Sequence, residues 1–267
     1  MPICRVCREE EAQLSYEHVP PRAAFNEDPT LVHGLGDWLA RSEDGTMSGG
    51  RIEQRGAGGR TLCERCNNNT GSWYGAELAR AAAAGARILL DAPLREFDQL
   101  TEHRWAEVGL RQSATGPHPL RFIKQIVTMM LATSQESLSL DRPELGDFVL
   151  DRNRTGLSDC YRFYLSLFAG PWARSTGVTR AIDFERGRDD TLVEVAWPPY
   201  AYVMTIDSET EAIDTVDITS CVDVQYDQRA DMQLSLLIGF GHTAVPVDYR
   251  TSAMIERDRE RDEAGAD

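Results

Sequence analysis

Six cysteines stand in this 267-residue chain, and four of them form two pairs of identical spacing. Cys4 and Cys7 make one C-x-x-C, and Cys63 and Cys66 make the other. Thiolates two residues apart on a tight turn reach one tetrahedral ion, and two such knuckles complete a four-sulfur zinc site. A redox dithiol would come with a flanking strand-helix-strand pattern, which is missing, and would not need two pairs. Between the knuckles runs Tyr16-Glu17-His18-Val19-Pro20-Pro21-Arg22, and the second knuckle leads into Asn67-Asn68-Asn69-Thr70-Gly71. An imidazole of near-neutral pKa can take a proton from water. The acid beside it and an asparagine from another element can hold a divalent cation, with coordination sites left for phosphate and water.

Cys-x2-Cys, then Glu-His-Val-x-Pro, then Leu62-Cys63-x2-Cys66-Asn67 resembles the HNH endonuclease family and its ββα-metal fold. The likeness is to the zinc-stapled Cys4 branch, in which cysteine knuckles brace a β-hairpin and a helix, and it covers about residues 3–75. The resemblance implies His18 as general base on the first hairpin strand, Glu17 as the neighbouring metal-binding acid and Asn67 as the ligand that opens the helix. Asn68 or Asn69 would take that place if the register shifts. Arg22 is implied as a phosphate contact, with an ordinary surface arginine as the alternative. Zn2+ would be structural, Mg2+ or Mn2+ catalytic, and the reaction hydrolysis of a phosphodiester in DNA. The other readings are a catalytically inactive zinc-stabilised binding module for nucleic acid or protein, and a ribonuclease. Two features depart from the family. The span from His18 to Cys63 is long, with His33 and Trp38 inside the insertion, and Gly58 and Gly59 stand near where the middle asparagine is expected. A backbone carbonyl could orient His18 instead.

These residues need elements to hold them. Gly34, Gly36, Gly45, Gly49, Gly50, Gly56, Gly58 and Gly59 crowd the stretch between the knuckles, which predicts turns and irregular backbone that a metal must staple. Strong helix formers begin at Glu77, Gly85 weakens them, and Pro93 interrupts before Leu94 to Leu100. A second helix is expected from Leu120 to Ser134, started by Pro117 and Pro119, with Phe122, Ile123, Ile126, Val127, Met130 and Leu131 on its apolar face. Strands are expected at Tyr161–Phe168, Leu192–Trp197, Tyr200–Ile206, Thr215–Val224 and Met232–Phe240. Asp141 to Glu144 and Asp189-Asp190 read as loops. His103, His118 and His242 read as solvated or capping histidines, Met129-Met130 as core, and Cys160 and Cys221 as buried small hydrophobes.

The expected architecture is α+β. A nuclease module covers residues 1–80, and helices with a mostly antiparallel β-rich domain of recognition or regulatory role cover 81–255. A charged tail follows at 256–267. With 42% hydrophobic residues the chain can form a core, and no apolar run is long enough for a membrane span. The N-terminus lacks signal-peptide order, so a cytoplasmic location is expected. The formal charge of −15 excludes a broadly basic coat for nucleic acid. Residues 1–80 hold nine arginines and twelve acids, so the excess acidity lies mostly beyond them. An acidic second part repels bulk nucleic acid and leaves selection to a protein partner, a homo-oligomer or a ligand. Host-defence nucleases use such arrangements, and the resemblance implies that role.

Overall fold

A computed structural model describes residues 1–34, 36–37, 40, 49–91, 105–110, 117–168, 173–183, 188–208, 215–230 and 232–239. The chain opens with the first cysteine knuckle, then strand β1 (Ser15–His18), a 3-10 turn (Arg22–Ala24), β2 (Thr30–Val32), β3 (Arg51–Glu53) and β4 (Gly58–Leu62). Helix α1 (Glu64–Thr70) passes through a wide π turn (Gly71–Gly75) into α2 (Ala76–Asp91). Next come β5 (Trp105–Leu110), α3 (Pro119–Thr133), α4 (Glu136–Asp141) and α5 (Pro143–Leu150). Strands β6 (Tyr161–Phe168), β7 (Arg174–Asp183), β8 (Arg188–Trp197), β9 (Tyr200–Ile206), β10 (Val216–Asp217) and β11 (Met232–Gly239) complete the described chain. Helix and sheet are mixed, as expected. Strand order in the large sheet is β5-β11-β6-β9-β8-β7, with β10 also on β6. Its pairs are antiparallel except β11 on β6.

Helix α3 is the centre of the molecule. Pro119 sits in its first turn, where a missing N–H costs no hydrogen bond. The sequence pattern shows one apolar face, yet the helix is buried nearly all round, from Leu120 to Ala132 except Arg121. The reason is that it has two partners. It packs against β4 and the π turn on the side of the cysteine knuckles, and against β7 and β8 of the large sheet. One hydrophobic core therefore runs from Cys4 and Leu62 through Phe122, Ile126 and Met130 to Phe163 and Tyr202. Residue 80, expected to close the N-terminal module, lies within α2.

Polar stitching reinforces the junction. Arg5, inside the first knuckle, donates to the Ala132 carbonyl at the end of α3, and Ser139 Oγ donates back to the Arg5 carbonyl at 2.7 Å. Arg8 donates to Pro143 O at 2.9 Å and pairs with Asp147 of α5 at 2.6 Å. Gly146 is required there, because a Cβ would stand 2.3 Å from the Val6 carbonyl.

Several expectations are corrected. Thr215–Val224 is not one strand. β10 ends at Asp217, whose carboxylate accepts from the Thr219 N–H at 2.7 Å and turns the chain into a 3-10 segment over Thr219–Asp223. Asp141 and Glu144 are helical, and Asp189 and Asp190 lie in β8. Gly58 and Gly59 lie in β4. Strand β7 and the β2–β3 pair were not expected. Pro93, Leu94 to Leu100, Trp38 and the tail at 256–267 lie outside the described residues. Among the described residues no helix is long and apolar enough to cross a membrane.

The chain has a single lysine, Lys124, and it is fully buried in α3. Its amine donates to the Phe148 carbonyl and, at 2.7 Å, to the Asp151 carbonyl, and lies 4.0 Å from the centre of the Phe148 ring. It thus closes the C-terminal end of α5, where cationic donors are favoured. Burial pushes its pKa down to about 7 from 10.5. The folded state therefore binds fewer protons than the unfolded state between those values, so this group makes stability rise with pH across that window. Chemical unfolding at pH 7 and pH 9.5 should show wild type gaining stability relative to Lys124→Met as pH rises. An amine-reactive ester should label the native chain at the N-terminal amine and reach Lys124 only in denaturant.

Candidate functional site

The two knuckles meet. Cys4, Cys7, Cys63 and Cys66 bring their sulfurs within 4.8 Å of one another, and among the described residues this is the one cluster of its kind. Such a group can bind a metal such as zinc. Backbone geometry arranges it. The Arg8 N–H donates to Cys4 O at 2.8 Å, closing the first turn, and the Cys66 N–H donates to Cys63 Sγ at 3.4 Å, closing the second at the start of α1. The Cys63 N–H donates to Cys4 Sγ at 3.2 Å and joins the two. Hydrogen bonds from the Cys66 thiol and backbone N–H groups hold the Cys4 pKa down at about 4 against its burial. Its partners are pushed up: Cys66 chiefly by donating to Cys4, and Cys7 by burial to about 11. Four sulfurs this close ionise together only around a cation.

From this cluster β4 and α1 are aimed at β1. Strand β1 pairs antiparallel with β4, His18 opposite Gly58 and Glu17 opposite Gly59. Glycine is needed at 58, since a Cβ would lie 2.0 Å from the Glu17 carbonyl. Strand alternation turns Ser15 and Glu17 to one face and Tyr16 and His18 to the other. Asn67, on α1, lies against β1: its Nδ2 donates to Ser15 Oγ at 3.1 Å and to Tyr16 O at 2.9 Å. Its Oδ1 accepts no hydrogen bond among the described residues. Glu17 is buried, 5% exposed, and burial alone pushes its pKa up to about 8. No described residue gives this carboxylate a hydrogen bond or an ion pair. A buried acid without a partner on β1, and on the helix packed against that strand a carboxamide with its oxygen free, are donor types that suit a hard divalent cation, which needs few protein oxygens when phosphate and water supply the rest. Asn68 is exposed and Asn69 half-buried, and neither side chain is hydrogen-bonded to β1.

His18, half-buried at the end of β1, is held differently. Its Nε2 lies 2.9 Å from the Arg55 carbonyl, and its ring stands edge-on to Tyr16 with centroids 5.1 Å apart. A carbonyl only accepts, so Nε2 carries the proton and Nδ1 keeps its lone pair. Burial lowers the His18 pKa. The Arg55 carbonyl opposes the shift, and the charges of Arg22 and Arg55 add to it. At neutral pH the ring is a neutral base with a fixed tautomer.

Arg55 and Asn26 were missed in the sequence. Asn26 is buried, donates to Pro20 O at 2.7 Å and Ala57 O at 2.8 Å, and accepts from the Ala57 N–H at 2.7 Å. It clamps the turn after His18 to the turn between β3 and β4 that presents the Arg55 carbonyl. Between them Gly56 takes φ +94°, and a Cβ there would strike the Asn26 carbonyl at 2.3 Å. Gly56 was a visible signal for a special turn, whereas a lone asparagine in a loop gives none. Arg22 is exposed in its 3-10 turn, near enough for its charge to act on His18.

The remaining candidates do other work. His118 is buried, and its Nδ1 bonds Glu77 at 2.5 Å, so it is not solvated. Arg80 completes that cluster by pairing with Glu77. Met129, Met130 and Cys221 are buried in the core as expected, and Cys160 is half-buried against it. His33 is buried with Nδ1 unpartnered among the described residues. His103 and His242 lie outside the described residues.

No protein-family model, curated protein or solved structure matches the chain.

Metal analysis should find one zinc per chain, lost in Cys63→Ser. Structural zinc sites bind with roughly 10–16 kcal/mol, comparable to a domain's whole stability of about 5–15 kcal/mol. Chelation should therefore disturb α3 packing as well as the knuckles, read by near-UV circular dichroism. Glu17, with its pKa raised to about 8 from 4.5, makes the folded state bind more protons between those values. It contributes stability below pH 4.5 that is lost as pH rises to 8. With zinc retained and no other cation added, Glu17→Gln should raise the melting temperature at pH 8 and change it little at pH 4.5.

Proposed function

We propose that this chain is a metal-dependent endonuclease of the HNH type, with His18 as general base. The observation that carries the reading is the His18 ring: one nitrogen held by a backbone carbonyl, the other free, and the pKa lowered, on a strand braced by four cysteines. The carbonyl does what a side-chain orienter does elsewhere.

Nδ1 takes the proton of a water as that water attacks phosphorus, and the bond to the 3′ oxygen breaks on the opposite side. A divalent cation held by Glu17 and Asn67 supplies, when bound, Lewis-acid stabilisation of the departing oxygen. In-line displacement needs base and cation on opposite sides of phosphorus. Neighbouring residues at the end of one strand face opposite ways, so the alternation of Glu17 and His18 suits that demand. Arg22 and Arg55 supply positive charge for the phosphate in a chain that is otherwise acidic. DNA is the expected substrate and RNA the alternative. The sheet domain is assigned recognition or regulation, and host defence remains the role that the family likeness suggests.

The test is cleavage of supercoiled plasmid and of an RNA transcript with Mg2+ or Mn2+. Wild type should nick and linearise DNA. His18→Ala should lose about 10²–10⁴ in rate while keeping its zinc and its melting temperature. Asn67→Ala should raise the cation concentration needed for half-maximal rate. Undiminished cutting by His18→Ala overturns the assignment, and zinc-loaded wild type that binds DNA without cutting it favours the inactive binding module.

A further inference from the structure

We propose that Phe25 is a base-stacking residue of the phosphate site, and that the substrate is a nucleic acid with one base swung out of its stack beside the cut. This rests on the nuclease reading above.

Phe25 is placed against its own interest as a structural residue. It adopts φ +65°, ψ +31°, the left-handed conformation that bulky L side chains avoid. Glycine or asparagine would fill that position without strain. Nor is the ring repaid by burial, since the residue is 52% exposed. The conformation is nonetheless fixed. The Phe25 N–H donates to Arg22 O, the Asn26 N–H to the same carbonyl at 3.2 Å, and the buried Asn26 side chain binds Pro20 and Ala57. Strain held this firmly is concentrated at functional sites.

Its surroundings name the ligand. Phe25 stands on the turn that begins with Arg22, and the Asn26 clamp joins that turn to the segment carrying Arg55. Both arginines act on His18. Guanidinium groups beside a general base hold a phosphate, and an exposed ring on the same turn offers a face to the base attached to it. Protein docking is the weaker reading: the exposed residues next to it in the chain are Arg22, Ala23, Glu27 and Asp28, and three of these four are charged. An isolated aromatic among charges is how stacking platforms and wedges meet nucleic acid.

The experiment uses the full zinc-loaded chain and a short DNA oligonucleotide with a defined cut position, single-stranded, mismatched at the cut or fully paired. Wild type should cut the single-stranded and mismatched forms faster than the duplex. Phe25→Gly should keep or raise the melting temperature, yet lower kcat/KM by roughly 5–100-fold. Phe25→Trp should restore it and Phe25→Leu should not. Abasic sites scanned across the cut should reveal one position where wild type loses the same factor and Phe25→Gly loses nothing more. In complexes of His18→Ala, 2-aminopurine at that position should change fluorescence, and adding Phe25→Gly should abolish the change. Equal cutting by wild type, Phe25→Gly and Phe25→Leu overturns the proposal while leaving the nuclease reading intact. So does an abasic loss that simply adds to the Phe25→Gly loss. Wild type that cuts no substrate overturns both.

Discussion

Four sulfur atoms gathered within 4.8 Å tie the first residues of the chain to the junction of β4 and α1, and the rest of the molecule depends on that tie. The segment between the knuckles is rich in glycine, and its described strands are only three to five residues long. Closing the loop from Cys7 to Cys63 removes part of the conformational freedom of the chain in between. The knuckle then serves as a rigid block with two working sides. One presents β4 and α1 to β1. The other carries Arg5 and Arg8, which bind the ends of α3, α4 and α5. The sheet domain is thereby packed against the same piece of backbone that positions Asn67.

A second, smaller hierarchy sets the imidazole. Asn26 fixes Ala57, Gly56 permits the turn, and the Arg55 carbonyl at its end selects the tautomer of His18. The hydrogen bonds run between a side chain and the backbone, and among the described residues no acidic side chain backs the histidine. The arrangement leaves the ring less basic than one paired with a carboxylate, because a neutral carbonyl stabilises the imidazolium less. Two nearby arginines push the same way, and they are also the positive charge that a phosphate would meet.

Much of this was legible, and the limits have physical causes. Cysteine spacing announced the cluster because ligand geometry allows few spacings. Pro119 announced α3, and aromatic alternation announced β6 and β9 with correct ends. Thr215–Val224 misled because its β-branched run is cut by a local bond from Asp217 that competes with the ladder. One apolar face was visible on α3, but burial of Lys124 and Gln125 comes from partners on both sides, which periodicity does not record. His118 and Glu77 are 41 residues apart, and only the packing of α2 against α3 makes them neighbours. In the candidate site, Glu17, His18 and Asn67 were readable as residues, whereas the opposite facing of Glu17 and His18 and the Asn26 clamp belong to tertiary structure.

The helix from Glu64 to Asp91 never breaks; it only widens at Gly71–Gly75. That makes it one helix with two arms. Its short arm carries Asn67 against β1, and its long arm touches β5 and the Arg22–Ala24 turn. The π turn inserts one extra residue, so the two arms present different sides to their neighbours. One continuous helix therefore ties the Asn67 carboxamide at one end to the Arg22–Ala24 turn at the other. On the proposed nuclease reading, residues that would meet the substrate are thereby joined by continuous backbone to an element that touches the large sheet.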